Sequence, residues 1–192
     1  TRGRVPTLDS LKELVDTMYA YKLNQLQLYV EHTYLFRNFS EVWRTDTPLT
    51  AEDILALDQY CDERGIELIP SLACFGHMFE VLRTKSFGHL CELPDGEKLP
   101  STYPNRMRHH TINVTGERAL PFIYGMIEEY MPLFRSKHFN ICADETFDLG
   151  KGKSGPRAQV VGVDRLYIDF LKALCRFLLK HGKTPMFWGD II

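Results

Sequence analysis

A parallel α/β fold of the (β/α)8-barrel type, present as an arc of about four to five strands, is the class this sequence predicts. Three observations point to it. Helical and strand-like patterns alternate along all 192 residues. The strand-like runs are short and apolar on both sides, as strands covered on both faces are. The connections are also unequal: those entering strands are brief, at Gly65, Ser136-Lys137 and Gly182-Lys183, whereas those leaving strands are long, at 31–49, 73–115 and 143–161. In (β/α)8 barrels the loops that follow the strands build the site, and the opposite loops hold the fold.

The elements follow in order. Residues 7–21 predict a helix, with Thr7 as N-cap and Leu8, Leu11, Leu14, Val15 and Met18 at helical spacing. LNQLQLYV, 23–30, reads as the first strand. A helix over 50–64 starts at Thr50, carries Glu52 and Asp53 in its first turn and stops at Gly65. IELIPSL, 66–72, is the next strand; a helix over 116–135 precedes HFNICA, and one over 162–181 precedes TPMFWGDII. A complete barrel takes eight strands and about 250 residues. The expectation is therefore one domain over 1–192, a partial barrel, with a complete smaller open sheet as the alternative. No Gly-rich phosphate loop follows a strand; GKGKSGP, 150–156, lacks the strand-turn-helix context and reads as a flexible loop.

Composition narrows the function classes. A net charge of −2 with 44% hydrophobic residues is ordinary globular composition. It argues against nucleic acid or an anionic membrane as partner, since both favour a basic face. No apolar run is long enough to span a bilayer. The opening TRGRVPTLDS has neither an apolar signal core nor a start Met and reads as an internal cut. The five cysteines, Cys61, Cys74, Cys91, Cys142 and Cys175, are odd in number and widely spaced. They read as reduced thiols, which favours a cytoplasmic setting.

Chemistry-bearing residues gather where the strands end: Glu31, His32 and Tyr34 after the first, Gly76 and His77 after the second, Asp144 and Glu145 after the third, and Trp188 and Asp190 in the fourth. Acids, histidines and aromatics together suit a carbohydrate site, where aromatic faces stack on sugars and carboxylates bind hydroxyls and move protons. Successive strand residues point to opposite faces, so Asp144 and Glu145 share a pocket only if the chain leaves strand geometry there. Two close carboxylates repel, and one pKa rises. The alternative is a helix-capping Asp beside a solvated Glu. His89, His109 and His110 fit no zinc spacing and read as solvated loop histidines, and Arg106 and Arg108 as a solvated face or structural pairs. Cys142 is close enough to the acids to be considered as a nucleophile, without an identifiable base. Trp43 and residues 34–36 line an outer subsite or cover the barrel rim.

Four stretches together resemble the catalytic barrel of glycoside hydrolase family 20, the β-N-acetylhexosaminidases. TRGRVPTLDSLKELVDTMYAYKLNQLQLYV is similar to its "SRH-x-x-P … K-x-N-x-x-x-x-H" opening, GIELIPSLACFGH to "GI-x-V-I-P-E-x-D-x-P-GH", HFNICADET to "H-x-G-G-D-E", and MFWGDII to the following Trp-bearing strand. The resemblance implies removal of terminal β-linked N-acetylhexosamine by substrate-assisted retention, in which the substrate's own acetamide oxygen attacks the anomeric carbon. No cofactor or metal is implied. Asp144 then corresponds to the acid that holds the acetamide, Glu145 to the general acid and base, Arg2 to the arginine on the ring hydroxyls, Trp188 to a pocket wall and His77 to a supporting histidine. The chain departs from the pattern at Asn140, which replaces a His; at Cys142 and Ala143, which replace two Gly; at Ala73 and Ser71; and at Tyr29 to His32, where Glu31 and Tyr34 stand as partial substitutes. Two other readings come from different classes: a sugar-binding partial barrel without catalysis, and a metal-dependent hydrolase built on Asp144, Glu145 and His77. Exposed strand edges also predict pairing with a second copy.

Overall fold

The computed structural model describes residues 4–43 and 47–189. Four parallel strands, β1 (Gln25–Val30), β2 (Glu67–Leu72), β3 (His138–Asn140) and β4 (Thr184–Met186), lie side by side in sequence order. This is the arc of a (β/α) barrel. Four longer helices cover one face: α1 (Leu8–Ala20), α3 (Ala51–Asp62), α6 (Ala119–Tyr130) and α8 (Val163–Lys180). Four short helices, α2 (Ser40–Trp43), α4 (Phe79–Leu82), α5 (Tyr103–Arg106) and α7 (Gly155–Val161), sit in the long loops after the strands.

The predicted caps form. Thr7 Oγ1 accepts the Ser10 N–H at 3.2 Å. At α3, Thr50 and Asp53 make a reciprocal capping box, with bonds of 3.1 and 2.9 Å, and Gly65 closes the turn into β2 at a φ of +65°. Of the apolar positions expected to face the core from α1, Leu11, Val15 and Met18 are buried, whereas Leu14 is exposed. The core lies between the helices and the outer face of the sheet, where Leu28, Val30, Leu68, Leu72 and Phe139 meet Ile54, Leu57, Ile123, Ile127, Leu174 and Leu178.

The other face of the sheet is polar. Tyr29, Ser71 and Asn140 are register partners and so point to the same side. Asn140 Nδ2 reaches across β2 to Gln27 Oε1 at 2.8 Å, and Ser71 Oγ lies 3.4 Å from Cys142 Sγ. This inner face leads at its C-terminal end to Glu31, His77, Asp144 and Glu145.

The segment 150–156 is not the flexible loop its composition predicts. It closes around Glu92, a fully buried carboxylate from the loop after β2. Glu92 Oε1 accepts the N–H groups of Gly152 and Ser154, both at 3.0 Å, and the Ser154 hydroxyl at 2.6 Å. The Lys153 ammonium caps the carbonyls of His89 and Cys91 at 2.8 and 2.7 Å. A Cβ at Gly152 would stand 2.2 Å from the Glu92 carbonyl oxygen, which is why Gly is needed. The loop therefore resembles a phosphate cradle in composition because it does the same work, gathering N–H donors around an anion that the chain itself supplies.

Glu92→Ala strips a buried acceptor from these donors and lowers the unfolding free energy by about 3 kcal/mol in urea denaturation. A loss below about 1 kcal/mol would show that the clamp contributes no more than a surface pair does.

Candidate active site

The site is built from three strand ends. β3 stops at Asn140 because the next turn leaves extended geometry: Cys142, Ala143 and Glu145 have φ of +60°, +66° and +47°. Such left-handed turns cost a non-Gly residue on the order of 1 kcal/mol. Their effect is to break strand alternation, so Asp144 and Glu145 turn to one side. Asn140 supports the turn, with its Oδ1 accepting the Cys142 N–H at 2.8 Å. Tyr167 of α8 donates to the Ala143 carbonyl at 3.1 Å, and the Trp188 N–H donates to the Cys142 carbonyl at 2.9 Å.

Gly76 brings β2's loop against this turn. A Cβ there would lie 2.5 Å from the Asp144 carbonyl oxygen, a backbone atom that cannot step aside. The close approach delivers His77 to the acids. Its Nε2 lies 3.2 Å from Asp144 Oδ2 and 3.2 Å from Glu145 Oε2, and its Nδ1 lies 3.9 Å from Glu31 Oε1. Glu31 is buried, accepts from the Tyr29 hydroxyl at 3.0 Å and pairs with Arg106 Nη2 at 3.2 Å.

The charges respond to this arrangement. Burial disfavours a charged His77, but the hydrogen bond and charge of Asp144 and the charges of Glu31 and Glu145 outweigh it and raise the imidazole above its ordinary value. Burial pushes Asp144 up, and the His77 hydrogen bond and charge more than offset that, holding its carboxyl below the usual range. Asp144 is thus an ionised, half-buried acid beside an imidazole whose protonated form it favours. The Glu145 side chain, 38% exposed against 23% for Asp144, is the more open of the two.

The other expected residues divide. His77, Asp144, Glu145 and Glu31 come together, and Trp188, 42% exposed, stands beside the turn, bonded to it through its backbone N–H. Asn140 is buried under the turn, bonded to Gln27 and Cys142, and acts by shaping it. Tyr34 is not brought to the acids: its ring packs against Phe36 and Tyr130 at centroid distances of 4.7 and 4.9 Å, so residues 34–36 cover the rim. Arg2 and Asp190 lie outside the described residues. Cys142 does not suit a nucleophile, since burial pushes its thiol up to about 12. All five cysteines are unpaired.

His110, expected to be solvated, is fully buried. Its Nδ1 accepts the His77 backbone N–H at 3.0 Å, and its own N–H donates to Asp148 Oδ2 at 3.2 Å. Arg106 proves to be a structural pair, on Glu31. Nothing in the local sequence separates His110 from His109 except its place before the buried run 111–113. Asp148, four residues beyond Asp144, ties the loops after β2 and β3 together, and burial raises its carboxyl to about 6. Among the described residues no group of three His, Cys, Asp or Glu side chains is arranged to hold a metal ion, and no helix is long and apolar enough to cross a membrane.

The comparisons with known proteins agree with this geometry. The profile of the glycosyl hydrolase family 20 catalytic domain matches residues 4–192. Hexosaminidase D of Bos taurus is 22% identical over 197 residues, covering 100% of this chain and 54% of its own. The chain thus spans about half the length of that relative. Among solved structures, Flavobacterium johnsoniae chitobiase superposes with a TM-score of 0.77 at 21% identity, over 97% of this chain and 30% of that one. The Bacteroides fragilis β-N-acetylhexosaminidase gives 0.79 at 16% identity, over 97% and 40%. These likenesses identify the fold as a (β/α)-barrel arc.

Asp148 sets a pH dependence. Its carboxyl is raised in the folded state, so folding favours the protonated acid and stability falls as pH rises from about 4 to about 6. Asp148→Asn keeps an acceptor for the His110 N–H without the charge. It is expected to melt several degrees above the native chain at pH 7.5 and to match it near pH 4, on the order of 2 kcal/mol at the higher pH. Equal melting temperatures at both pH values would show that Asp148 is not held out of water.

Proposed function

The chain belongs to glycosyl hydrolase family 20, whose catalytic-domain model matches it from residue 4 to residue 192, and on that premise we propose that it acts on terminal β-linked N-acetylhexosamine by substrate-assisted retention. The observation that carries the reading is the pair of adjacent carboxylates on one imidazole, each 3.2 Å from His77 Nε2. Two acids so placed serve two neighbouring atoms of one sugar. Asp144, kept ionised by His77, takes the acetamide N–H and so turns the acetamide oxygen toward the anomeric carbon. That oxygen forms its bond to the anomeric carbon as the glycosidic C–O bond breaks, and the ionised Asp144 balances the positive charge that spreads over the ring so formed. Glu145, more open to the pocket mouth, gives its proton to the leaving oxygen. It then takes a proton from the water that opens the oxazolinium, and so ends the cycle protonated as it began.

His77 links this chemistry to Glu31. His77 lies between Glu31 and the acid pair, and the charges of Asp144, Glu31 and Glu145 favour its protonated form. Trp188, beside the Cys142 turn and half exposed, supplies an aromatic wall for the acetamide methyl. Arg2 is proposed to hold ring hydroxyls. A sugar-binding barrel without turnover would use the same contacts except the proton transfers.

The test is hydrolysis of a fluorogenic aryl N-acetyl-β-glucosaminide by the native chain, Asp144→Ala and Glu145→Gln, with and without EDTA. Loss of at least about 10²-fold in both variants, unaffected by EDTA, is the expected result, since general acid catalysis alone contributes that much. Loss on EDTA treatment would replace this reading with the metal-dependent one. N-acetylglucosamine binding without turnover in the native chain would leave only the sugar-binding module.

We also propose that the chain self-associates. β1 and β4 are the outer strands of the sheet, each with one edge that no described strand pairs, and Phe187 and Trp188 beside β4 are 39% and 42% exposed. Strand edges with neighbouring apolar surface favour pairing. Sedimentation velocity at tens of micromolar is expected to show a dimer or larger species, and a single monomeric boundary would overturn the proposal.

A further inference from the structure

We propose that His110 is a positioning residue for Asp144, its Nε2–H reaching the carboxylate's Oδ1 through one bridging water and so fixing the rotation of that carboxylate in the pocket. The proton's location follows from the other nitrogen. His110 Nδ1 accepts the His77 N–H at 3.0 Å and therefore carries no proton. A neutral imidazole has one N–H, and here it is on Nε2.

Of the six buried side-chain polar atoms without a partner among the described residues, two are of complementary kind. His110 Nε2 is a donor without an acceptor, and Asp144 Oδ1 is an acceptor without a donor. A buried donor and a buried acceptor left unmet both disfavour the folded state. The groups are close enough to interact: the Asp144 charge acts to raise the His110 ring. Burial, with the charge of His77, nevertheless keeps His110 well below the ordinary imidazole range, at about 4, so it stays neutral and its donor stays in place.

The backbone fixes the ring in this position. Asp148 Oδ2 accepts the His110 N–H at 3.2 Å, and the His110 ring stands edge-on to His77 with centroids 5.3 Å apart. Asp144 is then divided between two histidines of opposite character. Oδ2 faces His77, and Oδ1 meets the neutral His110 through one bridging water. A carboxylate held at both oxygens cannot spin about its terminal bond, so its remaining lone pair points into the pocket. The catalytic value of this depends on the reading of Asp144 given above, but the hydrogen bond does not, and it is tested without substrate.

The experiment is imidazole and carboxyl NMR on the isotopically labelled chain. Long-range 1H–15N spectra are expected to show His110 as the Nε2–H tautomer, without titration between about pH 5.5 and 8. Its Nε2 proton resonance shifts in Asp144→Ala and stays in place in Glu145→Gln. Two variants separate this role from support of the His77 backbone. His110→Asn keeps an acceptor for the His77 N–H but has no atom where Nε2 was, whereas His110→Gln can place an amide N–H there. The Asp144 carboxyl titration is expected to rise by about one pH unit in His110→Asn and to return toward the native value in His110→Gln. An Nδ1–H tautomer, an Nε2 proton indifferent to Asp144→Ala, or identical Asp144 titrations in the native chain and both variants would overturn the proposal. Should either His110 variant fail to fold, the tautomer and the Asp144→Ala response of the native ring decide it.

Discussion

One imidazole holds three carboxylates in register. Glu31, Asp144 and Glu145 come from two different strand ends, and His77 sits between them, with Arg106 also pairing Glu31. The position of His77 is set by backbone rather than by its own side chain. The missing Cβ of Gly76 lets the loop after β2 sit on the Asp144 carbonyl oxygen, and the left-handed turn at Cys142 and Ala143 swings both acids toward it. Chemistry and fold are therefore one constraint here: any change that moves the Gly76 contact moves the ring, and with it the charge state of the pair.

Much of this was legible in the residues. The alternation of short apolar runs with capped helices was enough for the arc, because parallel strands covered on both faces leave that mark, and because Thr7, Thr50, Gly65 and Gly182 punctuate it by known capping chemistry. The pairing of Asp144 with Glu145 and the nearness of His77 were also readable, since both follow from strand ends meeting at one rim. What was not legible depends on tertiary contact. His109 and His110 are neighbours of the same type, yet only His110 is fully buried, and the reason lies in Asp148, in the loop after β3, and in His77, 33 residues upstream in the same loop. The glycines of 150–156 read as a flexible segment because its anion, Glu92, is about sixty residues upstream. Tyr34 illustrates the converse: a plausible sugar-stacking ring whose place is taken by packing on Tyr130.

The turn at 142–143 explains a departure that looked like erosion of the motif. Where the family pattern has two glycines, this chain has Cys142 and Ala143, both held at positive φ. The conformation that glycine adopts freely is here imposed on side-chain-bearing residues, and the strain is carried by surrounding bonds: Asn140 Oδ1 to the Cys142 N–H, Tyr167 to the Ala143 carbonyl and Trp188 to the Cys142 carbonyl. Asn140, which stands where a histidine is usual, thus serves the backbone of the turn.

The clamp between the two long loops bears on how a ligand enters and leaves. Glu92 gathers Gly152 and Ser154, Lys153 caps the carbonyls of His89 and Cys91, and Asp148 holds His110. Loops joined at so many points do not open independently, so neither can work as a hinged lid over the acids. Access to the pocket must then be controlled by elements outside this pair, and the step from free to loaded site proceeds with little rearrangement of the residues that do the chemistry. A rim of this kind trades induced closure for a cleft already in its working shape, in which selectivity rests on the fit of the ligand alone.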